Sequence, residues 1–212
     1  MGQETMKQLL ARNNRFKTRI LARPSEKNHK LLKKYMCPSL EVVWGDMADY
    51  DTIKKCVDGA DYVLHIGAMV SPAADKYPEK TLYTNIGSTL NIIKAIKEQP
   101  DPDKVHFAYV GTVAMTGSRL DPVQFGRIGD PMNPSIHDYY ALSKVFSELA
   151  VYESGLKHWV SIRQTGQHPS AEGAGEEPIV FHQPANNVLE WSTAIDSGIC
   201  MANLCEDWVD ES

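Results

Sequence analysis

Short apolar runs alternate along this chain with longer segments whose apolar positions recur every three or four residues. Most of the runs are continuous instead of alternating with polar residues, which is typical of parallel strands that are covered on both faces. They predict five strands, at 15–22, 40–44, 62–66, 105–110 and 159–163. The periodic segments predict helices, at 1–12, 26–35, 50–57, 80–98, 137–154 and 192–205. This order predicts an α/β fold with an open, doubly wound parallel sheet.

The fold indicates where to look for chemistry, because ligands of open α/β sheets bind outside the carboxyl ends of the strands. The residues that follow the predicted strands are Arg23, Asp46, Gly67, Ala68, Gly111, Thr112, Arg163 and Gln164. A long loop rich in Pro and Gly, residues 117–136, follows the fourth strand. Loops of this length in compact domains are usually functional, so we interpret it as one wall of a substrate site.

Three residues around the fourth strand could form one acid/base site. Thr112 follows the end of the predicted strand, and Tyr140 and Lys144, four residues apart, lie on one face of the next helix. A phenol has an ordinary pKa of about 10, and a neighbouring ammonium favours the phenolate that accepts a proton. The same spacing at Tyr50 and Lys54 is assigned to a surface helix without a role. Two alternatives stay open. Tyr140 and Lys144 could belong to an ordinary half-exposed helix face, and the Thr112 hydroxyl could simply form a hydrogen bond with the backbone at the strand end.

Two further expectations concern the core. His65 and His106 lie in apolar strands, so we interpret them as core histidines whose ring nitrogens are satisfied. The longest helix should bury the stripe formed by Leu82, Ile86, Leu90, Ile93 and Ile96.

Composition narrows the class of protein. The chain has 22 Lys and Arg against 27 Asp and Glu, which argues against binding to nucleic-acid phosphates or anionic lipid. Its four cysteines and seven histidines show no metal-ligand spacing, so we predict no metal site and free buried thiols. The sequence has neither an apolar run of membrane-spanning length nor the apolar core of a signal peptide. We therefore expect a cytoplasmic protein.

Several segments carry a family resemblance in their order and spacing: GDMAD, GADYVLHIGAMVSP, TNIGSTLNIIKAI, YVGTVAMTG, YYALSK and VSIRQTG. Over roughly residues 2–166 they resemble the extended short-chain dehydrogenases/reductases, the NAD-dependent epimerase/dehydratase family. The resemblance implies a Rossmann-like fold and hydride transfer between nicotinamide and a secondary alcohol or ketone. It implies that Asn85 braces the sheet beside the site and that the catalytic residues are Thr112, Tyr140 and Lys144. The residues that it implies for cofactor contacts are Gly2, Asp46, Met47, Ile66, Gly67, Ala68, Tyr140 and Lys144.

Compared with that family, the chain is short at both ends. The family opens with a strand and a Gly-rich turn that cradles the pyrophosphate at a helix N-terminus, and here only Gly2 stands for the last glycine of the turn. We expect residues 1–166 to form a partial NAD(P)-binding domain whose first strand, missing here, would lie between strands 15–22 and 62–66. Residues 167–212 would begin an incomplete substrate-binding region. We therefore predict a part of a larger enzyme, and weak dinucleotide binding by this chain.

The end of the first predicted strand bears on cofactor choice. In the resembling family an acidic residue there holds the ribose hydroxyls of NAD, whereas an arginine such as Arg23 suits the 2′-phosphate of NADP. We therefore favour NADP over NAD as cofactor.

The predicted partner is a small-molecule substrate, either a nucleotide sugar or an apolar alcohol. The segment DYVLHIGAMVSP also resembles the branch of the family that reduces ketones or oxidises hydroxysteroids. The net reaction, whether epimerase, dehydratase or reductase, stays open, and so does a homodimer. The alternative function is a catalytically inactive Rossmann-like module that binds or regulates, or a product of a disrupted gene.

Overall fold

A computed structural model describes residues 1–12, 15–117, 127, 129–168 and 191–208. The helices are α1 (Gly2–Leu10), α2 (Glu26–Lys33), α3 (Tyr50–Val57), α4 (Ala73–Lys76), α5 (Pro78–Lys97), α6 (Tyr139–Tyr152) and α7 (Ala194–Asn203). The strands are β1 (Thr18–Ala22), β2 (Leu40–Trp44), β3 (Tyr62–His65), β4 (His106–Thr112), β5 (His158–Gln164), β6 (Gly166–His168) and β7 (Trp191–Thr193). Within these ranges no helix has the length and apolar character that a membrane span requires.

The strands confirm the prediction of an α/β fold with parallel pairing. β3, β4 and β5 form a three-stranded parallel sheet in that order, and β1 pairs with β2 in a separate parallel sheet. A third parallel pair joins β6 to β7, two short strands that the sequence does not predict. The middle strand, β4, supplies the fully buried side chains Phe107 and Tyr109. The core therefore lies around β4.

Two layers of helices hold the separate sheets together. On one face, α1 packs against Ile20 of β1 and Leu64 of β3. On the other face, Ile53 of α3 lies in a cluster that contacts Leu21 of β1 and Val63 of β3. In the described part of the chain no strand pairs with β1 on the side of β3, in agreement with the expected gap between these two strands. Apolar contacts through helices replace the missing ladder of backbone hydrogen bonds.

Helix α5 buries the predicted stripe at Ile93 and Ile96, but not along its whole length. Leu90 is 50% exposed, whereas Asn85 and Thr89 are buried. The prediction for Leu90 was therefore wrong. The reason is that α5 packs against polar side chains of α6 and β3. The part of α5 before Leu90 therefore buries residues that can form hydrogen bonds, namely Thr81, Thr84, Asn85, Ser88 and Thr89.

The thiols are free, as predicted, but they are not all buried. Cys37 and Cys200 are exposed, Cys56 is half-buried and Cys205 is buried. Burial raises the pKa of the Cys56 and Cys205 thiols to about 11, so both stay protonated near neutral pH.

Candidate active site

Thr112 is the last residue of β4 and lies opposite Gln164 at the end of β5. Its buried hydroxyl accepts a hydrogen bond from the amide of Ala114 at 3.3 Å and so caps the short turn Val113–Thr116. The alternative that Thr112 caps the backbone is therefore correct, and this cap uses one lone pair of its hydroxyl oxygen. A hydroxyl carries one donor and two acceptor sites, so this cap leaves Thr112 able to bond a ligand oxygen.

Tyr140 lies in the first turn of α6, close to the end of β4. The carboxylate of Asp138 accepts a hydrogen bond from the amide of Ala141 at 2.8 Å and fixes the start of the helix. Burial raises the pKa of Tyr140, and a polar contact with the Thr112 side chain opposes the rise. The structure thus brings Thr112 and Tyr140 together, and the neutral phenol is the form present near pH 7.

Lys144 lies one turn further along α6 and is almost completely buried, at 3% exposed. Its ammonium lies over the ring of Tyr109, with Nζ 4.4 Å from the ring centroid. Burial lowers the pKa of Lys144 to about 8, and the nearby charge of Glu148 opposes the change. The Lys144 charge therefore lies beside the candidate site in a dry environment.

The second pair with the same spacing lies on the surface of α3, as predicted. The hydroxyl of Tyr50 donates to the carboxylate of Glu98 at 2.6 Å, and the ammonium of Lys54 pairs with the same carboxylate at 2.8 Å. This pair is embedded in exposed charges, which distinguishes it from Tyr140 and Lys144.

A partly buried ion pair next to the site was missed by the sequence analysis. Glu148 of α6 accepts a hydrogen bond from Arg163 of β5 at 2.7 Å and another from Ser161 at 2.6 Å. The same guanidinium donates to the carbonyl of Asp130 at 3.4 Å. Because Asp130 belongs to the predicted substrate wall, Arg163 links that loop to α6. Positions 118–126 and 128 of the wall lie outside the described residues.

Asn85 lies at the centre of a second network, between α5, α6 and the loop after β3. Its side-chain oxygen accepts a hydrogen bond from the amide of Met69 at 2.7 Å, and its nitrogen donates to the Met69 carbonyl at 3.0 Å. The same nitrogen donates to the hydroxyl of Ser143 at 2.8 Å. These contacts tie the loop that carries Gly67 and Ala68 to the helix that carries Tyr140 and Lys144.

The residues implied for the cofactor follow β1, β2 and β3. A side chain at Gly2, the first residue of α1, would approach Ile66 at 3.9 Å, and one at Gly67 would approach the sulfur of Met47 at 3.4 Å. Asp46 accepts a hydrogen bond from the amide of Ala48 in the turn after β2. The structure therefore brings together Gly2 with Ile66, and Met47 with Gly67.

The remaining two residues of this group differ in exposure. Arg23 is exposed directly after β1, and Ala68 is half-buried in the loop after β3. These positions fit a dinucleotide in one respect. Gly2 and Gly67 are exposed and carry no side chain, so a ligand can approach the backbone closely at both positions. Among the described residues no cluster of His, Cys, Asp or Glu could hold a metal.

The two core histidines differ from each other. His65 is buried, and its Nε2 lies 3.1 Å from the Thr89 hydroxyl, so its interpretation as a satisfied core residue is confirmed. The Nδ1 of His106 is buried and has no hydrogen-bond partner within the described ranges, so that interpretation was wrong for His106. Its ring instead stacks between Tyr62 and His158 in neighbouring strands.

Known proteins match most of the chain. Residues 1–165 match the family model of the NAD dependent epimerase/dehydratase family. The chain is similar to a 3 beta-hydroxysteroid dehydrogenase/Delta 5→4-isomerase of Mycobacterium tuberculosis, with 27% identity over 181 residues that cover 81% of this chain and 46% of the relative. It is also similar to a UDP-glucose 4-epimerase of Rickettsia massiliae, with 30% identity over 78 residues, 36% of this chain and 23% of the relative. The chain spans less than half the length of either relative.

Solved structures share the fold. DesIV, a dTDP-glucose 4,6-dehydratase of Streptomyces venezuelae determined with NAD bound, has a TM-score of 0.75 at 18% identity, over 99% of this chain and 70% of that one. The UDP-glucose 4-epimerase of Thermus thermophilus in complex with NAD has a TM-score of 0.61 at 20% identity, over 79% of this chain and 52% of that one. At these identities the likeness shows the fold alone.

Proposed function

Since the chain belongs to the NAD-dependent epimerase/dehydratase family, we propose that its site transfers hydride between a nicotinamide cofactor and a secondary alcohol or ketone. The observation that carries the proposal is the meeting of Thr112 and Tyr140 at the carboxyl end of β4, with the buried ammonium of Lys144 one helical turn away. A proton donor, a hydroxyl and a fixed cation are the groups that reduction of a carbonyl requires from the protein.

Each side chain has a separate task in this chemistry. In ketone reduction the phenol of Tyr140 gives its proton to the carbonyl oxygen, and the hydroxyl of Thr112 donates a hydrogen bond to that oxygen. In alcohol oxidation the alcohol proton passes to the Tyr140 phenolate. A bound nicotinamide supplies the hydride in the first direction and accepts it in the second. Because burial raises the pKa of Tyr140, the site is prepared for reduction near neutral pH, and oxidation should accelerate as the pH rises.

The same reasoning assigns residues to the dinucleotide. The N-terminus of α1 at Gly2 would face the pyrophosphate. Asp46 and Met47 would contact the adenine, and the loop 66–68 would line the cofactor. Tyr140 and Lys144 would contact the nicotinamide ribose.

The activity test uses both substrate classes to which the similar proteins point. Purified chain, with NADPH or NADH at millimolar concentration, is assayed for cofactor oxidation with a keto-nucleotide sugar and with a ketosteroid. Tyr140→Phe should lose nearly all turnover and keep its cofactor affinity, whereas the matched control Tyr50→Phe should keep both. Full turnover by Tyr140→Phe would remove Tyr140 from the mechanism. Cofactor binding without turnover of either class would favour the alternative, a binding or regulatory module.

Arg23 carries the proposed preference for NADP. It is exposed directly after β1, where its guanidinium could pair with a 2′-phosphate. Arg23→Asp should shift the ratio of NADP to NAD affinity toward NAD, measured by calorimetry, while Lys27→Asp on the surface of α2 should not. An unchanged ratio in Arg23→Asp contradicts the assignment. The same titrations test the prediction of weak binding by this chain, which tight binding of either dinucleotide would overturn.

We also propose that the protein associates as a homodimer through α5 and α6. The two helices pack side by side, and their outward faces expose large apolar side chains at 39–70%, namely Tyr83, Leu90, Phe146, Leu149 and Tyr152. Exposed apolar clusters are typical of interaction surfaces. Sedimentation at increasing concentration should show a dimer that Phe146→Lys dissociates and Ile136→Lys, on an exposed turn elsewhere, does not. A monomer at every concentration would contradict the proposal.

A further inference from the structure

The ammonium of Lys144 is held by an aromatic ring. Its Nζ lies 4.4 Å from the centroid of the Tyr109 ring, and the side chains are 3% and 0% exposed. Within the described residues Lys144 forms no ion pair, so its charge has no direct carboxylate partner to offset burial. A cation over a ring face is attracted by the ring quadrupole, and the attraction grows when water is excluded.

The other charged and titratable groups near Lys144 lie on α6, β3 and β5. Glu148 of α6 is engaged by Arg163 of β5 at 2.7 Å. His65 of β3 stays neutral, because burial and the charge of Lys144 lower its pKa to about 3. Tyr140 of α6 is a neutral phenol near pH 7, and the buried face of α5 contributes amide and hydroxyl groups. Among these uncharged or already paired groups, the ring of Tyr109 makes a direct contact with the ammonium, 4.4 Å from Nζ to the ring centroid.

We propose that Tyr109 is a positioning residue of this site, whose ring fixes the Lys144 ammonium and favours its charged form. This inference rests on the proposed function, in which Lys144 acts as a cation beside Tyr140 and the dinucleotide. Since burial opposes the charge of Lys144, an attractive group that needs no negative charge of its own keeps the lysine protonated. A carboxylate in the place of the Tyr109 ring would offset the positive charge of Lys144, which the proposed site uses.

Tyr109 is itself fixed in a neutral form. Its hydroxyl donates a hydrogen bond to the backbone carbonyl of Lys144 at 3.2 Å, and its ring lies 5.8 Å from the ring of His65. Burial raises the pKa of Tyr109 well above its ordinary value. The partner of the ammonium is therefore the ring face and not a phenolate.

The test follows the proton on Lys144 in the 212-residue chain without cofactor. Lysine labelled with carbon-13 at the ε position reports its own titration by NMR, and Lys144→Arg identifies the signal. Tyr109 is replaced by phenylalanine and by phenylalanines with one, two and three ring fluorines, which weaken the quadrupole while nearly preserving the volume. Phenylalanine should leave the titration of Lys144 unchanged, and three fluorines should weaken proton binding about tenfold. Lys54, remote from these replacements, is the internal control.

The outcomes are distinguishable. A titration of Lys144 that does not respond to fluorination overturns the inference, and so does a change in Tyr109→Phe as large as in the trifluorinated variant. Tyr109→Leu should weaken proton binding in the same direction, and if it does not fold, the fluorinated series still decides. Because the titration needs neither cofactor nor substrate, turnover that survives Tyr140→Phe would remove the proposed function and leave this result intact. In active protein, the pH profile of reduction should shift in the order of fluorination, which a purely structural role for Tyr109 would not produce.

Discussion

His65 should make the fold sensitive to mild acid. Its side chain is 6% exposed on β3, with Nε2 3.1 Å from the hydroxyl of Thr89 and 3.4 Å from that of Ser88. Burial, with a smaller effect from Lys144, lowers its pKa to about 3. Histidine in an unfolded chain has a pKa of about 6.5, so between these values the unfolded state binds a proton that the folded state does not.

The sign and size of the effect follow from proton linkage. A base whose folded pKa is depressed stabilises the fold at high pH, and that stability is lost as the pH falls below 6.5 toward the folded pKa. With 1.36 kcal/mol for each pH unit, lowering the pH from 7 to 5 should remove about 2 kcal/mol of unfolding free energy through His65 alone. The loss should stop near pH 3, where the folded protein also takes up the proton. A loss of about 2 kcal/mol is a large share of the stability of a typical domain.

Urea unfolding at pH 5, 6 and 7 measures this loss of unfolding free energy. His65→Gln removes the titrating ring and keeps a donor that can reach the neighbouring hydroxyls. The variant should be less stable than the parent chain at pH 7, but its unfolding free energy should change little between pH 7 and pH 5. His137→Gln, at an exposed position, is the matched control and should keep the change. If His65→Gln shows the same dependence on pH as the parent chain, His65 is not the neutral buried base inferred from the structure.

Two further predictions concern Glu148 of α6, in its contact with β4 and in its ion pair with Arg163 of β5. A methyl group at Gly111 would lie 3.0 Å from Oε2 of Glu148, so G111A should lose about 1–3 kcal/mol of unfolding free energy in urea. The matched control G87A on α5 has open space around the new methyl and should unfold like the parent chain or later. E148Q leaves the guanidinium of Arg163 partly buried without its anion and should cost about 2–3 kcal/mol. E98Q, in an exposed pair, should change little, and equal losses in both variants would show that burial does not govern these pairs.

Local signals in the sequence account for part of the fold. β2 at Leu40–Trp44 and α3 at Tyr50–Val57 have the predicted bounds residue for residue. Gly45 ends the strand, and the Asp49 side chain accepts a hydrogen bond from the amide of Thr52 to start the helix. Where the boundary depends on pairing, the prediction falls short. β4 continues two residues beyond its predicted end because Gly111 and Thr112 pair with β5.

Other features depend on contacts between distant segments and have no local signal. β6 and β7 are three residues each and pair across 22 intervening positions, 169–190, so neither is recognisable alone. The buried face of helix α5 also depends on contacts with distant segments. Its length and its buried residues Ile93 and Ile96 were predicted from apolar periodicity. The buried polar positions before Leu90 were not, because Asn85, Ser88 and Thr89 become favourable in the core only when α6 and His65 supply hydrogen bonds.

The two Tyr-xxx-Lys pairs, Tyr50 with Lys54 and Tyr140 with Lys144, have the same sequence spacing but different surroundings. Spacing places each tyrosine and lysine on one helix face, and that much could be predicted. The lysine pKa values then shift in opposite directions, since the Glu98 carboxylate raises that of Lys54 while burial lowers that of Lys144 to about 8. The groups that set the state of Lys144, the ring of Tyr109 and the carboxylate of Glu148, come from β4 and from the next turn of α6. Chemistry at this site therefore follows from the packing of α6 on β4, and replacing Tyr109 tests that packing more directly than changing the spacing.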